Sequence, residues 1–438
     1  SSDWPIGKFY VGRRAHLPNT SRSAGRDRIS VESFAMKFSM FYPVAVASEY
    51  ELGTGLFGLD RNRYAATIDE LREQAICADE AGWTSMMFAE HHFEIEGYHV
   101  TPNPLMLNVY LAQYTKRLRQ GQMGLVLPNW NPLRLAEDIA MADHLTGGRL
   151  DVGLSRGYQP RSVGVMGQHY HANAAGTGSA EVEATNRRVV EEWFEVMRRS
   201  WTEDLWDFEG EFISVPPKGL QWSHPISTRL NAGVNYGTLM QVATVPKPRQ
   251  MPHPPLFTTV TQSPETLAWS AKIGSTAVSL AANLDIVKGV FQAYVDLAAS
   301  NGRSLEFGEY STKGGVALCR NVAVGQTHEE AMETARQGSA FWTHWLGEFG
   351  FFEALRMKGQ EGPVPKTFQQ MLDSGFQLVG TPDEVAEQIQ RLKDELNVEY
   401  MIFIMYGGIT EHSRMLESIR LFGEEVIPKF PDAELVVG

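Results

Sequence analysis

Histidines, arginines and hydroxyls gather at a few points in this chain where an apolar run breaks off. Ala89-Glu90-His91-His92-Phe93 closes the run 84–89, which reads as a strand. An imidazole titrates near neutral pH, so it can serve as general base, general acid or hydrogen-bond partner. Successive side chains of extended backbone point to opposite faces, so at most one of His91 and His92 can face a given site. The same alternation argues against the two sharing a metal. His169-Tyr170-His171 is a second pair, but no Cys, Asp or third His stands at a ligand spacing. It reads as loop surface or a substrate contact, and no metal is expected.

Ser155-Arg156-Gly157 closes the run 150–155. A guanidinium followed by a glycine that lets backbone approach a ligand suits a phosphate. Arg187 and Arg188 open a helix running towards Trp201. Ser263-Pro264-Glu265-Thr266 starts another: Ser263 fits an N-cap and Pro264 the first helical position, and the same N-terminus with two hydroxyls can also hold an anion. Gly53-Thr54-Gly55-Leu56-Phe57-Gly58 matches a dinucleotide-binding glycine pattern. However, five residues separate it from the preceding strand, and the next helix begins only near Asp60, so it reads as a loop.

The elements that must position these groups alternate along the chain. Short apolar runs at 37–43, 84–89, 118–127, 150–155, 256–260, 275–280, 315–324 and 400–406 are separated by amphipathic helices. Eight βα units predict a parallel (β/α)8 TIM barrel with long loop insertions. Tyr64, Ile68, Leu71, Ala75 and Ala78 share one helical face; Val385, Ile389, Leu392 and Leu396 share another, as do Met415, Ile419, Phe422 and Val426. Thr381 with Glu384, and Thr327 with Glu330, are capping boxes, and Asn131-Pro132 starts a helix that Gly147-Gly148 stops. Segments 157–180, 207–255 and 342–376 show no regular pattern. The first and third follow strands, the face where barrels of this type hold their sites, and read as lids. Trp342 and Trp345 in the third are candidates to line an apolar substrate pocket.

Residues 36–438 form one barrel domain in this reading. Residues 1–35, with six basic residues, three acids and no periodicity, read as a disordered extension or an expression remnant. The chain has 438 residues, 43% apolar and 21% charged, an ordinary globular composition. A net charge of −13 argues against nucleic acid as a partner. No apolar run approaches membrane-spanning length. Cys77 and Cys319 are the only cysteines; they fall in a helix and a strand and read as reduced, buried thiols of a cytoplasmic protein.

Several of these stretches, taken in order, resemble bacterial luciferase α-chains and related flavin-dependent monooxygenases. They are Glu90 to Phe93, Gly121 to Pro128 with Asn131-Pro132, Leu135 to Asp138, Gly148-Arg149 to Gly157, Pro255 to Val260, Ser263 to Trp269, Leu378 to Glu384, and the last helix ending Val426-Ile427-Pro428. The resemblance implies an FMN-dependent oxygenase acting with O2 on an aldehyde, ketone or aromatic substrate, with reduced FMN arriving from a separate flavin reductase. It implies that Arg156, Arg188, Ser263 and Thr266 hold the FMN phosphate; Arg188 is preferred to Arg187 by its spacing to Trp193-Phe194-Glu195-Val196-Met197. The peptide Met123–Gly124 falls where luciferases hold a non-prolyl cis bond under the flavin ring. His91 matches the catalytic histidine. Ser155 stands where luciferase α-chains carry a reactive cysteine, which weighs against light emission. A homodimer follows from the resemblance and from His92 turning away from the mouth if His91 turns in.

Two rivals stand beside this reading. A deazaflavin-dependent hydride-transfer enzyme would use the same barrel, although Glu90-His91-His92 favours the luciferase side. A non-catalytic flavin-binding partner subunit would have little reason to keep Arg156 and Arg188.

Overall fold

The computed structural model of the protein describes residues 36–176, 178–260 and 263–431; the expectation placed on 1–35 lies outside them. Eight parallel strands pair in chain order: β1 (Lys37–Tyr42), β2 (Ser85–Phe88), β3 (Arg119–Gln122), β4 (Leu150–Ser155), β5 (Leu256–Val260), β6 (Thr276–Ser279), β7 (Gly314–Val324) and β8 (Tyr400–Ile404). The sheet closes because β8 also pairs with β1, Lys37 opposite Tyr400. Helices follow the strands: α1 (Arg61–Ala81), α2 (Pro104–Ala112), α3 (Pro132–Leu145), α4 (Ala180–Thr202), α5 (Pro264–Ile273), α6 (Leu284–Ser300), α7 (Pro382–Leu396) and α8 (His412–Leu421). This is the expected (β/α)8 barrel, built on the eight strands read from the sequence.

Strand alternation sorts the core into two shells. Along β8, Tyr400, Ile402 and Ile404 pack with the barrel interior, whereas Met401 and Phe403 pack under the helices. Along β1, Phe38, Met40 and Tyr42 take the helix side, while Ser39 turns inward and hydrogen-bonds the Tyr400 hydroxyl at 2.6 Å. Arg119 pairs with Asp151 at 2.7 Å near the strands' beginnings. The lumen is thus filled at that end, leaving the C-terminal ends to form a site.

Local chemistry sets the helix ends. The Asp60 carboxylate accepts from the Asn62 and Arg63 amides to start α1, and Gly82 at φ +89° ends it. Both capping boxes form, at Thr327 with Glu330 and at Thr381 with Glu384. Leu71, Ala75 and Ala78 are buried on α1 as expected, but Tyr64, in the first turn, is 38% exposed. Met415, Ile419, Phe422 and Val426 are all buried; the last two lie on a π-helical turn, Phe422–Val426, that continues α8.

Three differences from the sequence reading bear on the site. The run 118–127 is interrupted: β3 ends at Gln122, and Leu125–Val126 resumes beside Leu154 and Ser155. A side chain at Gly124 could not be accommodated, since a Cβ would lie 2.9 Å from the Leu154 carbonyl carbon. Secondly, a short strand, Gln377–Gly380, was not anticipated; it pairs with Asn321 to Val324 of β7. Thirdly, segment 342–376 is largely ordered as turns and a short helix, Phe368–Asp373, and is preceded by the helix His328–His344. Segment 207–255 carries two small hairpins, and Gln250 bonds Asp143 of α3 and the Leu150 carbonyl, so its end packs at the opposite end of β4 from Ser155. Cys319 is buried and Cys77 half-buried; neither is in a disulfide. No helix among the described residues is long and apolar enough to cross a membrane.

Candidate active site

Beyond β2 the backbone leaves the sheet, and the two neighbouring histidines part as strand geometry requires. Glu90 is buried and accepts from the Val126 amide at 2.9 Å, the Trp130 indole at 2.7 Å and the Asn129 amide at 2.9 Å. His92 Nε2 lies 2.8 Å from the same carboxylate. His91 turns the other way and lines a cavity of ≈ 270 Å³ at the C-terminal ends of the strands. Its own amide donates to the Thr101 carbonyl at 3.1 Å, which fixes the loop.

One end of this cavity is polar. Ser155, Arg156, Arg187, Glu191, Ser263 and Thr266 all line it. The Arg156 guanidinium lies 2.9 Å from Glu183, and Arg187 lies 3.7 Å from Glu265. The Asn186 amide donates to the Arg156 carbonyl at 3.1 Å and to the Asn173 carbonyl at 2.8 Å, so α4 holds the loop after β4. Gly157 stands at φ +75°, and a Cβ there would lie 2.5 Å from Val163. Ser263 caps α5, accepting from the Thr266 amide at 3.2 Å, and donates to Glu265 at 2.8 Å. Two guanidinium groups facing a capped helix N-terminus make a site for an anion. Ser155 itself is less free, since its hydroxyl donates to the Leu125 carbonyl at 3.3 Å.

Arg188 is not part of this cluster. It is exposed, with Nε 3.0 Å from Glu211, while Arg187 faces the cavity. Each residue turns an α-helix by roughly 100°, so neighbouring arginines cannot share a face. Arg187 lies one turn from Glu183, Val190 and Glu191, which mark the cavity side of α4. The inward pattern of α4, Asn186-Val189-Val190-Trp193-Phe194, would have placed Arg187 beside it.

The other end is apolar. Phe41, Val278, Cys319 and Ile404 from the barrel meet Phe341, Trp342, Leu346 and Phe351 from the long connection after β7. Trp342 is fully buried in this wall. Trp345 is not among the lining residues; it stacks on Tyr98, with centroids 5.1 Å apart and planes 14° apart. The helix ends at His344, so the backbone turns Trp345 outward where a continued helix would have kept its face. Met123 and Gly124 line the cavity at the break after β3, but their peptide bond is trans: every cis bond among the described residues precedes a proline. The Met123 amide donates to the Phe88 carbonyl at 2.8 Å and the Gly124 carbonyl accepts from Glu90 at 3.4 Å, so the trans chain already bridges β2.

Burial drives His91 down to about 3, against the supporting effect of the Gln159 amide, and His92 lowers it further. At neutral pH the ring is therefore uncharged. A base works best with a pKa near the working pH, which shifts the expected role of His91 from general base towards hydrogen-bond donor and acceptor. Gln159 also faces Glu94, whose carboxyl burial pushes up to about 7 even though Arg161 sits 2.8 Å away. Sequence reasoning missed His99, Tyr158, Gln159 and Phe341, all lining residues. Three of them lie in loops with no periodic signal.

Comparison with known proteins agrees with this architecture. A family model described as luciferase-like monooxygenase matches residues 36–398. The oxygenase component of the flavin-dependent trigonelline monooxygenase of Acinetobacter baylyi is 23% identical over 411 residues, 91% of this chain and 97% of that protein. Among solved structures, the oxygenating constituent of Pseudomonas putida 3,6-diketocamphane monooxygenase in complex with FMN superposes with TM-score 0.68 at 20% identity, covering 91% of this chain and 99% of that one. The coenzyme F420 dependent tetrahydromethanopterin reductase of Methanopyrus kandleri shares the fold at TM-score 0.59 and 15% identity, over 91% of this chain and 100% of that one. With a closed eight-stranded barrel, a cavity at its C-terminal face and a family match across most of its length, the chain belongs to the luciferase-like monooxygenases.

Proposed function

We propose that the protein is the oxygenase component of a two-component system that uses reduced FMN from a separate reductase and O2 to oxygenate a neutral organic substrate. The observation that carries this is the single cavity with unlike ends: Arg156, Arg187, Ser263 and Thr266 at one, and His91 among aromatic and aliphatic side chains at the other. The residues fit the cofactor. Two planar guanidinium forks suit a phosphate dianion, and the α5 N-terminus adds its dipole and the Thr266 hydroxyl. Met123 and Gly124 line the same cavity, where the lack of a side chain at 124 lets the backbone pack directly on Leu154.

Reduced FMN, when bound, supplies the activation of O2. The rest falls to the chain. Arg156 and Arg187 anchor the phosphate, and Glu183 and Glu265 keep the two guanidinium groups aimed while the site is free. Phe341, Trp342, Leu346 and Phe351 exclude water and hold the substrate against the reacting face. His91, neutral at working pH, offers one donor and one acceptor to the reacting oxygen.

The test is to supply the isolated chain with chemically reduced FMN, air and a panel of aldehydes, ketones and aromatic compounds. Oxygenated product is the expected outcome; preferential binding of a deazaflavin with hydride transfer and no oxygen uptake would overturn the reading. A homodimer is part of the same proposal, because closed two-fold pairs are the commonest assembly. Light scattering at micromolar concentration is expected to return twice the mass of one chain, and one chain mass would refute it.

A further inference from the structure

His99 is the second histidine of the cavity, and nothing above gives it a task. It is 4% exposed, and its ring centroid lies 3.8 Å from that of His91. Phe341 stacks on it at 4.5 Å with planes 7° apart, so the ring is fixed in position. Its backbone sits at φ +49°, a region that non-glycine residues seldom occupy. The loop enforces that conformation: the Thr101 amide donates to the His99 carbonyl at 2.8 Å, and the Val100 amide to the Val44 carbonyl at 3.0 Å. Backbone held this way concentrates where a side chain has to be aimed.

The ring forms part of the cavity wall, and it meets no hydrogen-bonding protein partner among the described residues. Both ring nitrogens are buried, and neither has a hydrogen-bond partner among the described residues. Buried polar groups are normally satisfied, so an orphaned pair at a cavity wall points to a partner brought by a bound molecule. Burial also holds the ring well below its usual pKa, which keeps it neutral, with one N–H to donate. Apart from His91, packed edge-on against it, the neighbouring wall of Phe41, Leu280, Phe341, Trp342, Leu346 and Ile404 is apolar.

We propose that His99 reads the substrate, donating its ring N–H to one carbonyl oxygen carried on an otherwise neutral, apolar molecule. This rests on the proposed function only in placing the organic substrate in the cavity. His99 is then a specificity residue, distinct from His91. A carboxylate substrate is disfavoured, because an anion in this apolar wall would have no cation beside it.

The experiment needs neither flavin nor turnover. Binding of cyclooctanone and of cyclooctane to the full chain is measured by calorimetry for wild type, His99→Leu and His99→Gln. The two variants share the same cost for a left-handed backbone, so they differ chiefly in polarity. Expected is about a tenfold loss of cyclooctanone affinity in His99→Leu, with cyclooctane unchanged or tighter, and cyclooctanone within about threefold of wild type in His99→Gln. Parallel shifts for both probes, or no binding of cyclooctanone at millimolar concentration, would overturn the proposal. Should His99→Leu fail to fold, ring-nitrogen NMR of the wild type still decides: cyclooctanone must move the His99 resonances and cyclooctane must not. FMN binding is scored separately. If FMN fails to bind while the ketone discriminates, the flavin reading falls and this one stands; if FMN binds and the probes respond alike, the reverse holds.

Discussion

The two ends of the cavity are built on opposite principles. The polar end is assembled from charged and hydroxyl side chains that already have partners: Arg156 with Glu183, Arg187 with Glu265, Ser263 with Glu265 and the Thr266 amide. The apolar end is assembled from aromatic and aliphatic surface together with two neutral imidazoles, one of them with both nitrogens unmet. Satisfied charges near the surface give an anchor that tolerates exchange of its ligand. Unsatisfied neutral groups in a dry wall give discrimination, because a ligand lacking the right atom leaves them unpaired. Anchoring and selection are thereby separated in space.

The sharpest way to break that comparison is at His91. His91→Ala is expected to lower product formation by roughly 10²–10³, the cost of losing one positioned hydrogen-bond donor, while leaving FMN affinity within about twofold, because the anchors lie on other elements. Product and hydrogen peroxide should be assayed together with melting temperature, and His92→Ala serves as control for the Glu90 contact. A His91 variant that melts early yet couples oxygen to product normally would make the ring structural.

At the other end, Arg156→Ala and Arg187→Ala should each weaken FMN by about 10- to 150-fold and leave riboflavin nearly unaffected, since each removes charge-assisted bonds worth roughly 1.5–3 kcal/mol. Arg188→Ala should change neither. Flavin fluorescence titration measures all three, and an Arg188 effect equal to that of Arg187 would return the anchor to the neighbour that faces solvent here.

The smallest expected effect is in pH-dependent stability, where two buried groups that share Gln159 as a neighbour should differ in sign of slope. His91, lowered to about 3 in the fold, binds its proton more readily when unfolded. It contributes stability above its ordinary value of 6.5, and that stability is lost as pH falls from there towards 3. Glu94, raised to about 7, behaves oppositely: its contribution is complete below its ordinary value near 4.5 and is lost as pH rises through 7. Denaturant melts from pH 4.5 to 7.5 should therefore show a shallower acid loss in His91→Gln and a shallower loss on the neutral side in Glu94→Gln. Unchanged slopes in both would mean that neither group is buried as described.

Much of the frame was legible because its signals are local and repeated. Strand β4 has the bounds 150–155 that its apolar run sets, and Thr381-Pro382-Asp383-Glu384 makes a capping box wherever it occurs. His91 was legible because strand alternation forces one of two adjacent histidines inward. Arg187 was lost to a count along the chain, when the helical period of the apolar residues beside it carried the answer. His99 gave no signal at all: it sits in a loop, held by a left-handed backbone and a stack on Phe341, a residue 242 positions away. The interruption at Met123 and Gly124 was hidden inside the stretch 118–127, which reads as one strand, because only the approach of Leu154 reveals it.

The unanticipated strand Gln377–Gly380 has a consequence for how anything enters. The helix His328–His344 springs directly from the end of β7, and the returning chain hydrogen-bonds back onto that same end, Val324 opposite Gly380. The segment between, which carries Leu346 and Phe351, is therefore a closed excursion with both feet on one strand. Swinging it outward breaks no pairing between barrel strands, but it exposes Phe352 and Leu355 and parts the Ala282 amide from the Ala354 carbonyl, so opening is a local fluctuation that costs less than global unfolding. Amide exchange should accordingly be fast between 346 and 366 and slow in β7 itself. The rate at which the apolar chamber admits a guest then becomes a property that mutation at the exposed positions of that excursion can tune with little effect on the melting point of the protein.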